Sequence, residues 1–163
     1  RTLNYLTENN LLQYADLEKK VEDIHSSYDR TGKELKGVEA RLREVQPLIK
    51  NISNYQRLKP VYDAFQKAKD KPGFKAKHEA ELVIFEAARS TLLAMQGDEK
   101  LPSLKTLKAE QAQLFEEQER LYAERNRLKK EAKQIETIKS NVDTFLAPSA
   151  DHDRDHLRST QRE

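Results

Sequence analysis

The side chains that could do chemistry are few and scattered. His152 and His156 stand four residues apart with Asp151, Asp153 and Asp155 interleaved, a spacing that on a helix would set two imidazoles on one face as metal ligands. That segment has no apolar stripe to hold it helical and no third ligand on a neighbouring element, so it reads as a solvated tail and no metal is assigned to it. His25 and His78 are isolated and read as ordinary helix residues, solvated or half-buried. Six tyrosines offer nucleophilic hydroxyls. Tyr14 and Tyr28, however, fall on a hydrophobic seam and Tyr122 stands beside Leu121, where packing is the expected role; Tyr55 and Tyr62 are less committed. The chain has no cysteine, which removes disulfides and thiolate metal sites. No catalytic constellation emerges, and neither a cofactor nor an enzymatic activity is expected of this chain.

Charge is more informative. Arg57, Lys59, Lys67, Lys69, Lys71, Lys75 and Lys77 face only Asp63 and Asp70 over the same stretch. They are the candidate nucleic-acid-binding residues, because Lys and Arg clusters neutralise phosphates. A second group, Arg120, Arg125, Arg127, Lys129, Lys130 and Lys133, is diluted by Glu119, Glu124 and Glu131. The net charge of the whole chain is only +2, so DNA contact would have to come from local clustering. Glu110, Glu117, Glu124 and Glu131 recur every seventh residue, an acidic edge that selects a helical partner and disfavours DNA on that side.

These residues need elements to position them, and two repeats supply the elements. Tyr14, Leu17, Val21, Ile24, Tyr28, Thr31, Leu35, Val38, Leu42, Val45, Ile49 and Ile52 follow steps of three and four, with Thr31 the one clearly polar member. Leu107, Leu114, Leu121, Leu128, Ile135 and Val142 repeat every seven, preceded by Leu104. An apolar residue every 3.5 positions keeps one stripe facing a partner helix. Spans 14–52 and 104–142 are equal in length, roughly 58 Å as helix, and can serve as each other's partner. The expected fold class is therefore all-α: a long antiparallel coiled-coil hairpin with a small helical cap at its tip.

The expected organisation is a short remnant of a longer chain (1–10), a first arm (11–58), a helical tip (59–103), a second arm (104–146) and a polar tail (147–163). Asn10 with Gln13 has capping-box spacing for the first arm. Gly32, Gly37 and Pro47 lie off the seam and leave its phase intact, so one helix should run through all three. Lys59-Pro60 should end it, since a residue before proline is biased away from helical angles. A short helix from Pro60 to Asp70 should bury Val61, Ala64, Phe65 and Ala68, and Lys71-Pro72-Gly73 should turn the chain. The next helix would carry Phe74, Leu82, Phe85, Leu92 and Met95, with Val83, Ile84 and Ala88 widening its apolar face. Gly97 should stop it, Ser103 should cap the second arm, and Ala147-Pro148 should end that arm.

Composition agrees with an elongated helical protein: 36% of the chain is hydrophobic and 36% charged, too little apolar content for a compact sphere of this length. No apolar run approaches the roughly 20 residues that span a bilayer, so no membrane partner is expected. The lack of cysteine fits a reducing, cytoplasmic setting. A start on Arg1 suggests a piece of a longer protein.

Several segments are similar to a known family. Asn54-Tyr55-Gln56-Arg57-Leu58-Lys59-Pro60-Val61-Tyr62, the Lys-rich stretch to Phe74, Phe85-Glu86-Ala87-Ala88-Arg89, and Ile135-Glu136-Thr137-Ile138-Lys139-Ser140-Asn141-Val142 resemble the C-terminal region of relaxases, the mobilisation nucleases of bacterial conjugative and mobilisable elements. The resemblance spans about residues 50–146 and lies in the order and texture of segments rather than in a diagnostic motif. It implies a parent that nicks DNA with a tyrosine and a histidine-held metal in a separate N-terminal domain, and no catalytic residue carries over. For this chain it implies an accessory role: holding DNA, recruiting conjugation-machinery proteins, or associating copies as a homodimer through the coiled coil. A structural spacer or dimerisation coil from an unrelated large protein is the competing expectation.

Overall fold

A computed structural model describes residues 14–97 and 100–146. Four helices make up these residues, with no strand among them: α1 (Tyr14–Lys67), α2 (Lys71–Lys77), α3 (Glu79–Gln96) and α4 (Leu104–Leu146). The protein is all-α. The Asn10 cap, the histidine-bearing tail and Pro148 lie outside the described residues.

α1 passes through Gly32, Gly37 and Pro47 without a break, as the unbroken phase of its seam requires. It also passes through Pro60 and ends at Lys67, which overturns the expectation of a helix end at Lys59-Pro60. Proline removes one backbone donor and disfavours its neighbour's helical angles, but the buried residues on both sides keep helical phase. Leu58 is buried, and Tyr62 stacks on Phe85 with ring centroids 4.5 Å apart. Packing of this kind outweighs a local penalty of about 3 kcal/mol. The separate helix expected from Pro60 is thus the last two turns of α1, with Val61 and Phe65 half-buried and Ala64 exposed; Ala68, also half-buried, lies just beyond the helix end.

Lys71-Pro72-Gly73, expected as a turn, opens α2 instead. Proline is tolerated in a first helical turn, where its missing donor would have been orphaned anyway. Asp70 is the cap: its Oδ1 accepts from the Gly73 backbone N–H at 3.1 Å. A Cβ at position 73 would collide with that carboxylate, so glycine is needed for the close approach. Phe74 therefore sits on α2, and α3 begins only at Glu79. Gly97 ends α3 at φ 52°, a left-handed conformation that favours glycine. The Ser103 hydroxyl accepts from the Thr106 N–H at 3.2 Å, capping α4.

The chain forms two compact units, Arg1–Leu35 with Arg120–Glu163, and Lys36–Glu119. In the first, Leu17, Ile24, Leu128, Ile135 and Ile138 form the core, flanked by Val21, Tyr28, Ala132 and Val142. The Tyr14 hydroxyl donates to Asp143 at 2.7 Å, Lys20 pairs with Glu131 at 3.4 Å, and His25 meets Glu136 at 2.9 Å. Thr31, the polar seam residue, is buried and donates back to the Ser27 carbonyl at 2.7 Å, so its hydroxyl is satisfied inside the helix. In the second unit the core is Val45, Ile52, Leu92 and Leu107, with Ile49, Tyr55, Leu104 and Leu114 packed on it. Arg41 grips Glu110 by two bonds, of 2.6 and 3.2 Å. Leu82, Phe85, Ala88 and Leu92 are the buried face of α3, whereas Met95, expected on that face, and Val83 and Ile84, expected with Ala88 to widen it, are exposed.

Candidate functional site

The basic stretch is distributed over two helices and their junction. Arg57, Lys59 and Lys67 lie on α1, Lys69 between α1 and α2, and Lys71, Lys75 and Lys77 on α2; all seven are exposed. Two of them are engaged. Arg57 donates to Asn54 Oδ1 at 3.3 Å, and Lys59 pairs with Asp63 at 3.0 Å, a hydrogen bond that raises the Lys59 pKa. Lys67, Lys69, Lys71, Lys75 and Lys77 have no ion pair among the described residues. The two acids of the stretch are both occupied, Asp63 by Lys59 and Asp70 by the cap of α2. Five ammonium groups are therefore exposed and outside any ion pair, Lys75 among them lining a groove with Glu79 and Glu86.

Aromatic rings fix the backbone under these lysines. Phe65 and Phe74 have centroids 6.1 Å apart, and Phe74 stacks on His78 at 4.4 Å. Phe85 stacks between Tyr55, at 5.1 Å, and Tyr62. Arg89 donates to the Tyr62 hydroxyl at 3.3 Å and lies 5.8 Å from its ring centroid. Each such ring pair contributes about 0.5–1.5 kcal/mol beyond area burial. These rings, Phe85 buried and the others half-buried, hold α1, α2 and α3 together, and Tyr62 and Phe65 also line a shallow groove. The site can contact phosphates but has no evident means of reading bases.

The other candidates resolve differently. Arg127 is bound to Glu124 at 2.7 Å and Glu131 at 3.0 Å; the Glu124 bond, the larger influence, raises the Arg127 pKa and lowers that of Glu124. Glu110 and Glu131 of the acidic edge reach across to α1, meeting Arg41 and Lys20. Tyr14 is pushed up to about 12, chiefly by its bond to the Asp143 carboxylate, which makes it a poor nucleophile at neutral pH. No group of three or more potential ligands that could hold a metal occurs among the described residues, and no helix there is long and apolar enough to cross a membrane.

Sequence reasoning missed one arrangement. Arg125, counted above within a mixed-charge cluster, has its guanidinium carbon 4.3 Å from the Tyr28 ring centroid. Its Nε is buried with no hydrogen-bond partner among the described residues. A Cβ on Gly32 would lie 3.4 Å from the guanidinium, an ordinary contact distance, so the guanidinium packs close against this turn of α1. Gly32 was the available signal: a glycine inside a long helix costs about 1 kcal/mol and invites the question of what lies against it.

No protein-family model, curated protein or solved structure matches the chain.

Proposed function

We propose that this chain is a non-catalytic accessory domain of a relaxase acting in conjugative DNA mobilisation. In this reading an antiparallel coiled coil carries a basic helical cap that contacts DNA or the transfer machinery. The antiparallel reading draws support from contact order within each unit. Tyr14 meets Asp143 and His25 meets Glu136, while Glu39 meets Gln118 and Arg41 meets Glu110. Residues distant in sequence thus meet in matched pairs, late with early. The segment resemblance described above motivates the relaxase assignment.

The observation that carries the DNA contact is the set of five exposed lysines between positions 67 and 77, none in an ion pair among the described residues, with Asp63 and Asp70, the two acids inside the basic stretch, already engaged. Such a surface attracts phosphates and binds them in a sequence-independent manner. Fluorescence anisotropy with single- and double-stranded DNA at low salt tests it. Replacing Lys67, Lys69, Lys71 and Lys75 by Gln should weaken binding to all sequences alike, with helicity unchanged. Absence of binding, or binding untouched by the four substitutions, would remove DNA from the reading.

A structural spacer or dimerisation coil is the rival reading. It is favoured by the core that seam residues Leu17, Ile24, Leu128 and Ile135 form between α1 and α4, an arrangement that serves a spacer equally well.

A further inference from the structure

α3 differs from the other helices in what it leaves exposed. Seven large apolar side chains are exposed among the described residues, and four of them, Val83, Ile84, Leu93 and Met95, lie on this helix at 60%, 40%, 63% and 43% exposure. Helical spacing gathers Ala80, Val83, Ile84, Ala87, Ala94 and Met95 on one face, every one of them exposed. Ser90 and Thr91 complete that face, which thus carries no charge in a chain that is 36% charged. It lies opposite the buried Phe85 and Leu92.

Charge returns at its margins: Glu81, which meets His78 at 3.3 Å, lies beyond Ile84 and Met95, and two unpaired acids lie on the other side. Glu79 and Glu86, seven residues apart, are exposed and have no ion pair among the described residues. Both line a shallow groove of about 320 Å³ built on Tyr62, Phe65 and Leu82, which opens at Val83 and has Lys75 at its rim.

We propose that the outer face of α3 receives an amphipathic helix of another protein, one whose apolar stripe is edged by Lys or Arg. The alanines at 80, 87 and 94 let a second helix approach closely, and Val83, Ile84 and Met95 supply the apolar area. A partner's Lys or Arg can lay its aliphatic stem in the apolar groove and bring its charge to Glu79 or Glu86. A second α3 does not satisfy these carboxylates. In an antiparallel pair, like margins face each other and would bring Glu86 near its own copy; in a parallel pair the margin opposite is that of Ile84 and Met95, which holds no cation. A helix of 18 residues is only about 27 Å long, so the contact belongs to the small, reversible class of interfaces. This surface goes beyond the DNA reading and does not rest on it.

The test uses two synthetic 18-residue helical peptides with the same Ala and Leu stripe, one flanked by Lys and its twin by Glu. Each is titrated into the isotope-labelled full chain and followed by NMR. The Lys-flanked peptide should shift amides of residues 79–96 and bind at least about tenfold more tightly than its twin at low salt. Glu79→Lys with Glu86→Lys should invert that preference. Ala87→Glu should abolish binding without changing the melting curve, and a protein with Lys67, Lys69 and Lys71 changed to Gln, which leaves Lys75 at the groove intact, should bind the peptide as the parent does. Equal affinity of the twins, shifts confined outside α3, or no binding of either peptide would overturn the proposal. So would self-association in sedimentation that Ala87→Glu abolishes, which would give the face to a second copy.

Discussion

Leu128 and Lys133 stand on neighbouring turns of α4, yet truncation should separate them sharply. Leu128 is 4% exposed inside the first unit's core, so Leu128→Ala loses transfer free energy and leaves a void, at about 2–5 kcal/mol. Lys133 is exposed, and Lys133→Ala should change stability by less than about 0.5 kcal/mol. Equal unfolding midpoints in urea would contradict the burial pattern. Glu110 makes a pH-dependent contribution. The hydrogen bonds from Arg41 hold its carboxyl below the ordinary value of 4.5, so the folded state releases this proton more readily than the unfolded chain. The stabilisation is present above the ordinary carboxylate range and is lost as pH falls through the lowered folded value. With side-chain exposures of 42% and 32% for Arg41 and Glu110, solvent screening keeps it small. Melting temperatures of Glu110→Gln and the parent should differ at pH 7 and converge as pH falls well below 4; a constant gap would contradict the pair.

At the scale of elements, Pro60 gives the clearest test, because α1 continues through it. Pro60→Ala restores a backbone donor and removes a steric conflict, so it should raise stability by up to about 3 kcal/mol, read as a higher melting temperature. A loss of stability would mean that the proline shapes the packing of Tyr62 and Phe85. The same position marks the limit of sequence reading. The two long seams were legible because a sustained heptad is a global signal that no single glycine or proline interrupts, and the Gly97 stop and Ser103 cap were legible because backbone chemistry is local. Pro60 and Lys71-Pro72-Gly73 were misread because both look like breaks locally. Whether Pro60 breaks α1 depends on Phe85, which only the folded chain brings near; at Lys71-Pro72-Gly73 the deciding group is local, since Asp70 caps the helix that Pro72 helps to open. The exposed half of α3 was read as core for a related reason: an apolar face tells how much could be buried, while the number of neighbours decides how much is. At the candidate site the lysines were visible in the sequence, but the engagement of Asp63 and Asp70, which leaves five of them outside any ion pair, was not.

At the scale of the molecule, the cores and cross-helix pairs of both units form within one chain. The protein should therefore sediment as a monomer near 19.0 kDa at micromolar concentration, whereas a dimer that persists on dilution would favour the dimerisation-coil reading. If the lysine surface binds duplex DNA, affinity should fall with salt along a log–log slope near −0.9 per phosphate contacted, and the four-Lys→Gln protein should show a flatter slope. A slope unchanged by the substitutions would place the contact elsewhere. The Tyr28–Gly32–Arg125 arrangement also bears on how uniquely the chain specifies itself. A repeat of near-identical leucines is almost degenerate under translation by seven residues, because each apolar layer can exchange its neighbour for another of similar size. Arg125 breaks that degeneracy. Only one alignment sets its guanidinium over the Tyr28 ring and against Gly32; a slip of one heptad would replace the ring by Val21 or Leu35 and forfeit the cation–π contact. The aromatic ring and the charge that meets it thus act as marks on an otherwise repetitive ruler, together with Tyr14–Asp143 and Arg41–Glu110, selecting one native state from a ladder of near-equals.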